Sequence, residues 1–129
     1  MKKPIKNESR YSNELAVSSA ISVSSFRKYH LKTRADFDGV GVFVSCDPKT
    51  RKSPYIHRIE PLSPGKLVGL QKNDYIFEIN GVNVVFCDFD FVIDLLKDRI
   101  SKNDLYIVVC NNKTYKKWMK ANSGKKVVA

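Results

Sequence analysis

The chain has 129 residues, which suits one domain and leaves little room for a second. Hydrophobic residues make up 43% and charged residues 28%, ordinary values for a globular protein. The net charge of +10 lies at the ends: residues 1–33 hold seven bases and two acids, residues 113–129 six bases and no acid, and residues 34–112 ten bases and eleven acids. Nucleic-acid-binding folds carry their basic stripe on the folded body, so no nucleic-acid partner is expected.

Cysteine content and apolar runs indicate the compartment. Three cysteines, Cys46, Cys87 and Cys110, are too few and odd in number for a disulfide framework and fit a reducing environment. No apolar run approaches the roughly 18 residues of a membrane helix. Five of the eleven residues from Leu15 to Ser25 are serine, too polar for the core of a signal peptide. We therefore expect a cytoplasmic protein.

In chain order, residues 1–25 are rich in Ser, Lys and Asn and are predicted to form a flexible leader. Alternation or β-branched runs then predict strands. They cover residues 27–33, 41–46, 55–60, 74–79 and 104–110. A basic extension, 113–129, follows a folded domain over 26–112.

Two helices are predicted between the later strands. Ser63 and Pro64 provide a hydroxyl cap and a first-turn proline, and Gly69 ends that helix within two turns. Asp88 is a plausible cap for the longest helix, in which apolar residues recur at helical spacing to Leu96. The predicted fold is mostly antiparallel β-sheet with two helices. An edge strand beside a long helix forms a groove that accepts an extended peptide as an added strand.

An ordered set of motifs resembles the PDZ domain from about Arg27 to Val109. They are Gly39-Val40-Gly41-Val42, similar to the family's carboxylate-binding loop; Pro61-Leu-Ser-Pro64 with Gly69-Leu70, similar to its first helix; Asn73-Asp74-Tyr-Ile-Phe-Glu-Ile-Asn-Gly81, similar to its strand-and-turn signature; and the helix from Phe89 to Lys97. The resemblance implies a partly open antiparallel β-barrel or sandwich capped by a short and a longer helix.

Within the family, three segments most resemble the sodium–hydrogen exchanger regulatory factor scaffolds. They are Lys28-Tyr-His-Leu-Lys32, Gly39 to Pro48, and Ile59 to Pro64. Two positions depart from the family pattern: Asn73 replaces a usual glycine and Gly65 a common alanine. Neither departure is expected to touch the groove.

The resemblance implies that the loop binds the terminal carboxylate of a peptide. Backbone amides of Val40, Gly41 and Val42 would supply converging donors, and Arg34 would add long-range or water-mediated charge complementarity. The alternative is that Gly-Val-Gly is only a bulge entering a strand. A dinucleotide loop is disfavoured because the third glycine is absent and a strand follows.

The family alignment assigns side-chain pockets and a ligand-facing strand. The last ligand side chain would contact Val40, Val42, Val44, Ile93 and Leu96, although all five are equally suited to a plain core. The peptide-contacting strand positions are Phe43 and Ser45, and His57 on the next strand is a further candidate contact.

Phe89 opens the second helix, where many family members have a histidine that bonds a Ser or Thr hydroxyl. Phenylalanine has no such donor and would leave a hydroxyl poorly satisfied. We therefore predict apolar residues at the last and antepenultimate ligand positions. The alternative is that Phe89 turns into the core as a helix anchor.

Catalysis and metal binding have little support in the sequence. His30, His57 and the cysteines form no nucleophile–base signature and lack zinc-ligand spacing. We therefore predict a protein that is not an enzyme and needs no cofactor or metal.

The basic extension has two interpretations. As a helix it would place Tyr115, Trp118 and Met119 on one face, and that face would pack on the domain or rest on an anionic membrane through Lys116, Lys117, Trp118 and Lys120. The final Val127-Val128-Ala129 matches the predicted ligand pattern, so weak self-association through this tail is left open beside chance.

The sequence thus predicts an adaptor that binds C-terminal tails of membrane receptors, channels or transporters at the inner face of the plasma membrane. The alternative is a module that binds phosphoinositide or anionic membrane surfaces through its basic flanks. A regulatory domain cut from a larger enzyme or scaffold also remains open.

Overall fold

The computed structural model describes residues 25–128, with side chains described for residues 25–122. Residues 1–24 of the predicted flexible leader lie outside the described residues. The side chains of residues 127–129, for which self-association is left open, lie outside them as well. Six strands and three helices follow in chain order. They are β1 (Phe26–Leu31), β2 (Val42–Ser45), β3 (Tyr55–Ile59), α1 (Pro64–Val68), β4 (Tyr75–Ile79), β5 (Val82–Asn83), α2 (Phe89–Ser101), β6 (Leu105–Cys110) and α3 (Asn112–Val128).

The strands form one antiparallel sheet in the order β1-β6-β4-β3-β2, with β5 paired to β4. The predicted α+β fold is confirmed, and each predicted strand is present with its ends shifted by at most two residues. The short β5 was not predicted. Since β2 ends the order, one of its edges has no strand beside it among the described residues.

Local chemistry explains where the helices and turns lie. The Ser63 hydroxyl accepts from the Lys66 N–H at 3.2 Å, and Gly69 ends α1 at φ 107°. The Asp88 carboxylate accepts from the Asp90 N–H at 3.0 Å and begins α2. Asn73 adopts a left-handed conformation at φ 74°, which asparagine tolerates better than most residues.

Two apolar clusters lie in the described part of the chain. The first, called the groove cluster, joins β-strand residues to α2. Its buried members are Leu31, Val40, Ile56, Leu70, Ile76, Ile79, Val84, Val92, Leu96, Leu105, Ile107 and Val109. The second, called the α3 cluster, joins β4 and β6 to α3. Its buried members are Phe77, Val85, Val108, Cys110, Tyr115 and Trp118.

The third helix corrects the expectation of two helices, because the basic extension folds onto the domain. Asn111 caps α3 by accepting from the Thr114 N–H at 2.8 Å. Tyr115 stacks on Tyr75 with ring centroids 3.9 Å apart, and Trp118 lies edge-on to Phe77 at 5.0 Å. These contacts bury the aromatic face of the helix.

The predicted membrane contact of Trp118 is wrong for this conformation, since its side chain is only 6% exposed. Lys116, Lys117 and Lys120 lie on the exposed face of α3, where contact with an anionic surface stays a prediction. In the part of the chain described, no helix combines the length and apolar character that a bilayer-spanning segment requires.

Candidate functional site

An apolar groove runs between the unpaired edge of β2 and helix α2, and it contains a partly open cavity of about 300 Å³. The walls come from both elements and from the core beneath them. The lining residues are Leu31, Val40, Val42, Phe43, Val44, Leu70, Ile93, Leu96, Lys97, Ile100, Leu105 and Ile107. All five residues predicted for the terminal side-chain pocket are among them. The cavity extends into the groove cluster, so its lining is both core and open surface.

The loop that opens β2 is held by two backbone hydrogen bonds. The Glu60 N–H donates to the Gly41 carbonyl over 2.8 Å, and the Gly65 N–H donates to the Val40 carbonyl over 2.9 Å. Gly41 has φ +73°, and a Cβ there would lie 2.2 Å from the Cβ of Ser63. Conformation and space therefore both require glycine at position 41.

These two bonds use the carbonyl groups of the loop and not its N–H groups. Within residues 25–122, the N–H groups of Val40 and Gly41 donate to no acceptor. Because Glu60 bonds to Gly41 and the next pair is Val42 with Ile59, the alternation of an antiparallel ladder directs the Val42 N–H away from β3. The geometry is suited to an anion.

Gly65 supports the loop directly, contrary to the expectation that this departure lies away from the groove. Besides its hydrogen bond to Val40, Gly65 packs so closely that a Cβ there would lie 2.4 Å from Cγ2 of Val42. An alanine at position 65 would therefore require movement of a cavity wall. No local sequence pattern signals the contact between Gly65 and Val42, because 23 positions separate them in the chain.

Arg34 braces the loop and does not line the cavity, and its long-range or water-mediated contribution to the carboxylate site stays a prediction. Its Nε donates to the Asp36 carboxylate and its Nη2 to the Leu62 carbonyl, both over 2.8 Å. These bonds hold Arg34 between the two segments that flank the loop. The Arg34 hydrogen bond, followed by its positive charge, lowers the pKa of Asp36 below its usual value.

The charges around the loop are mixed. A depression beside the loop is lined by Asp36, Asp38 and Glu60 together with the loop itself. Lys97 is the one base that lines the cavity, and it forms no ion pair with residues 25–122. An anion at the loop would therefore meet one positive side chain and a neighbouring acidic surface.

Phe89 lies at the start of α2, one turn before Ile93 and on the same helix face. It is half-buried and is not packed in the groove cluster or the α3 cluster. This placement disfavours the alternative that Phe89 anchors the helix in the core. The guanidinium carbon of Arg51 lies 5.3 Å from the ring centroid, a contact that the sequence did not reveal.

Strand β2 alternates as predicted, with Val42 and Val44 packed on the core. Phe43 is 42% exposed and lies under Arg58, whose guanidinium carbon is 4.1 Å from its ring centroid. Ser45 is half-buried, and the register shifts between Phe43 and Val44, so that His57 on β3 has no opposite residue. His57 is exposed at that bulge, and its contact with a ligand stays a prediction.

The candidate metal ligands do not assemble into a site in the described residues. Among them, no group of three or more His, Cys, Asp or Glu side chains is placed to hold a metal ion. His30 stacks on Tyr106 with ring centroids 4.0 Å apart. Burial raises the pKa of Cys110 to about 12, which keeps this thiol protonated and weakly reactive near neutral pH.

Comparison with solved structures identifies the fold, whereas no family model matches the sequence. The fourth PDZ domain of MUPP1 is similar over 86% of this chain and 96% of its own length, with 19% identity and a TM-score of 0.65. The dmPar3 PDZ1 domain in complex with the dmPar6 PBM is 18% identical, with a TM-score of 0.59 and coverage of 70% and 100%.

A third similar structure is the second PDZ domain of Dlg1 from the choanoflagellate Monosiga brevicollis. It is 18% identical, has a TM-score of 0.58, and the match covers 67% of this chain and 99% of that chain. All three are PDZ domains. The chain therefore has the PDZ fold, with the cavity between β2 and α2 at its open sheet edge.

Proposed function

We propose that this chain is a non-enzymatic adaptor module that binds the C-terminal tails of other proteins by strand addition. The tail would pair with the free edge of β2, and its carboxylate would accept hydrogen bonds from the N–H groups of Val40, Gly41 and Val42. One observation carries the proposal: an apolar cavity lies directly beside a turn whose N–H groups donate to no acceptor within residues 25–122.

The cavity supports an apolar last residue in the ligand. Among the described residues that line the cavity, Lys97 alone is charged, and Val42, Ile93 and Leu96 form walls around a volume of about 300 Å³. An aliphatic side chain would displace water there without leaving a polar group unsatisfied. For so small a contact we expect a free energy of binding near −8 kcal/mol, about micromolar affinity.

Phe89 supports an apolar antepenultimate residue. Its half-buried ring offers no hydrogen-bond donor or acceptor to a ligand hydroxyl at that position. Arg51 covers part of the same ring but already bonds Asp90 at 2.8 Å. A Ser or Thr hydroxyl would lose water here and gain no partner from Phe89, which disfavours such ligands.

The partner class and location belong to the same proposal. We propose C-terminal tails of membrane receptors, channels or transporters, met in the cytoplasm at the inner face of the plasma membrane. The narrower resemblance to sodium–hydrogen exchanger regulatory factor scaffolds points the same way and stays a prediction.

A second candidate function, binding to an anionic membrane surface, has one specific observation in its favour. Lys113, Lys116, Lys117 and Lys120 all lie on the exposed face of α3. Near an anionic surface each base contributes about 1 kcal/mol, and this attraction falls steeply with salt. Binding to anionic liposomes that disappears at high salt, with peptide binding retained, would separate this function from the first.

A library of peptides with free C-termini tests the adaptor proposal. The wild-type chain should select apolar residues at the last and antepenultimate positions, and Phe89→His should shift selection toward Ser and Thr at the latter. Phe91→His is the matched control, because Phe91 is 48% exposed and, two residues further along α2, does not share the helix face of Phe89. Equal selection of Ser, Thr and Val by the wild type would overturn the antepenultimate assignment, and no enrichment at all would overturn the adaptor function.

A further inference from the structure

The loop between β2 and β3, residues 47–53, is closed on itself by hydrogen bonds. The Asp47 N–H donates to the Lys52 carbonyl at 2.9 Å, and the Arg51 N–H donates to the Asp47 carbonyl at 2.8 Å. The Asp47 carboxylate also accepts from the backbone N–H and the hydroxyl of Thr50, both at 2.9 Å. A loop tied in this way moves as a unit.

One end of this unit contacts the start of the groove helix. The Phe89 N–H donates to the Arg51 carbonyl at 3.0 Å, and the Arg51 guanidinium bonds the Asp90 carboxylate at 2.8 Å. The same guanidinium lies over the Phe89 ring. The position of Arg51 therefore sets both the start of α2 and the surface around Phe89.

The other end of the unit contacts α3. The Tyr115 hydroxyl donates to the Ser53 hydroxyl oxygen at 2.5 Å, and its ring is fixed against Tyr75. Burial raises the pKa of Tyr115 to about 12, so this hydroxyl keeps its proton throughout the neutral range. The Ser53 N–H donates to the Val85 carbonyl at 3.0 Å, whereas the Ser53 hydroxyl oxygen accepts from Tyr115.

The backbone of this loop needs such support. Arg51 and Ser53 are both non-glycine residues in the left-handed region, at φ 62° and 61°. Side chains disfavour that conformation, and it persists where surrounding contacts determine it. Tyr115 contacts one of the two strained residues, and Phe89 bonds the other.

We infer that Tyr115 is a positioning residue for the antepenultimate side of the groove, acting through Ser53 and Arg51 on Phe89. This inference rests on the proposed peptide-binding function. It makes the C-terminal helix a part of the recognition machinery, although α3 packs in a different apolar cluster from the groove. Tyr115 itself does not line the cavity.

Hydrogen exchange and peptide titration of Tyr115→Phe test the inference. The variant should speed exchange of the Phe89 amide and leave that of Gly65, whose acceptor Val40 lies in the carboxylate loop, unchanged. A peptide ending Val-Ser-Val should bind about threefold to tenfold more weakly, the range of one neutral hydrogen bond. A peptide ending Gly-Ser-Val, which lacks the antepenultimate side chain, should lose less than twofold.

Tyr55→Phe is the matched control, because Tyr55 also contacts the Tyr75 ring but its hydroxyl bonds no group within residues 25–122. It should change neither readout. In a Phe89→Ala background, Tyr115→Phe should have no further effect on binding of the Val-Ser-Val peptide. Unchanged Phe89 exchange, or equal weakening of both peptides, would overturn the inference. Failure of the wild type to bind any free C-terminal peptide would instead overturn the proposed function.

Discussion

The two apolar clusters of this protein differ in what covers them. In the α3 cluster, Tyr115 and Trp118 from the chain's own C-terminal helix cover Phe77 and Cys110, and both covering side chains are 6% exposed. Within the described residues the groove cluster has no such cover beside β2, and a cavity of about 300 Å³ remains there. The closed cluster contributes to stability, whereas the open one is the cluster to which we assign the proposed ligand.

The difference has a simple geometric origin. The α3 cluster lies where β6 leads directly into α3, so the next residues of the chain reach it. The groove lies between an edge strand and α2, and the absence of side chains at Gly41 and Gly65 lets the loop pack closely against Ser63 and the start of α1. Each of the following predictions tests one region of the molecule at a time.

The largest expected effect is on stability and comes from Trp118→Ala. Removing this ring should lower the free energy of unfolding by about 3–5 kcal/mol, the usual cost of truncating a buried aromatic side chain. Chemical denaturation of the two proteins measures it. Phe91→Ala is the control, and it should cost less than about 0.5 kcal/mol because Phe91 is an exposed aromatic. Equal losses would show that α3 is not docked.

The next effect is on binding and comes from Gly41→Ala. The new Cβ must displace Ser63 or the loop, so the N–H groups would no longer converge. Since hydrogen bonds to charged groups contribute about 1.5–3 kcal/mol each, peptide affinity should fall at least tenfold by calorimetry. Gly39→Ala is the matched control: Gly39 has φ +78° but no atom within 4 Å of an added Cβ. Equal peptide affinity of the two variants would show that binding does not depend on convergence of the loop N–H groups.

A smaller effect tests the acidic surface beside the loop. Asp36→Asn keeps an oxygen acceptor for Arg34 but removes one negative charge near the proposed carboxylate. Affinity for a C-terminal peptide should rise about twofold to threefold at low salt, the scale of an exposed charge, and the gain should shrink as salt increases. Asp98→Asn changes the net charge equally on the other side of α2 and should have no effect. A loss of affinity in Asp36→Asn would contradict the electrostatic account.

The smallest effect concerns pH. Hydrogen bonds from the backbone and side chain of Thr50 hold the pKa of Asp47 below its usual value of 3.8. A lowered folded-state pKa means that this stabilisation is complete above the unfolded value and is lost as pH falls through the folded value. NMR titration of the Asp47 carboxyl carbon should give a midpoint below 3.8, together with faster amide exchange in residues 47–53 under acid. A midpoint at or above 3.8 would show an unbonded carboxylate.

Much of the fold is predictable from local chemistry. The β-branched run at Val42–Ser45 and the Asp88 cap with apolar residues at helical spacing identify β2 and α2, the two walls of the groove. The docking of α3 is not predictable, because its aromatic spacing fits a membrane surface and a protein surface equally well. Only the position of Phe77 and the rest of the sheet face decides between them.

The candidate site is predictable where it depends on backbone conformation, as at Gly41, and less so where it depends on distant contacts. The hydrogen bond from Arg34 to the Leu62 carbonyl joins two segments that share no periodic sequence pattern. The contact of Ser53 with Tyr115 is of the same kind, across 62 positions. Such contacts follow from how the whole sheet folds and have no signature in neighbouring residues.

The most direct test of the central claim compares two forms of one peptide. A peptide selected from the library is titrated into the wild-type chain as the free acid and as the C-terminal amide. If the N–H groups of Val40, Gly41 and Val42 grip a terminal carboxylate, amidation should weaken binding at least about tenfold, because it removes charge-assisted hydrogen bonds. Equal affinity of the acid and the amide would contradict the account.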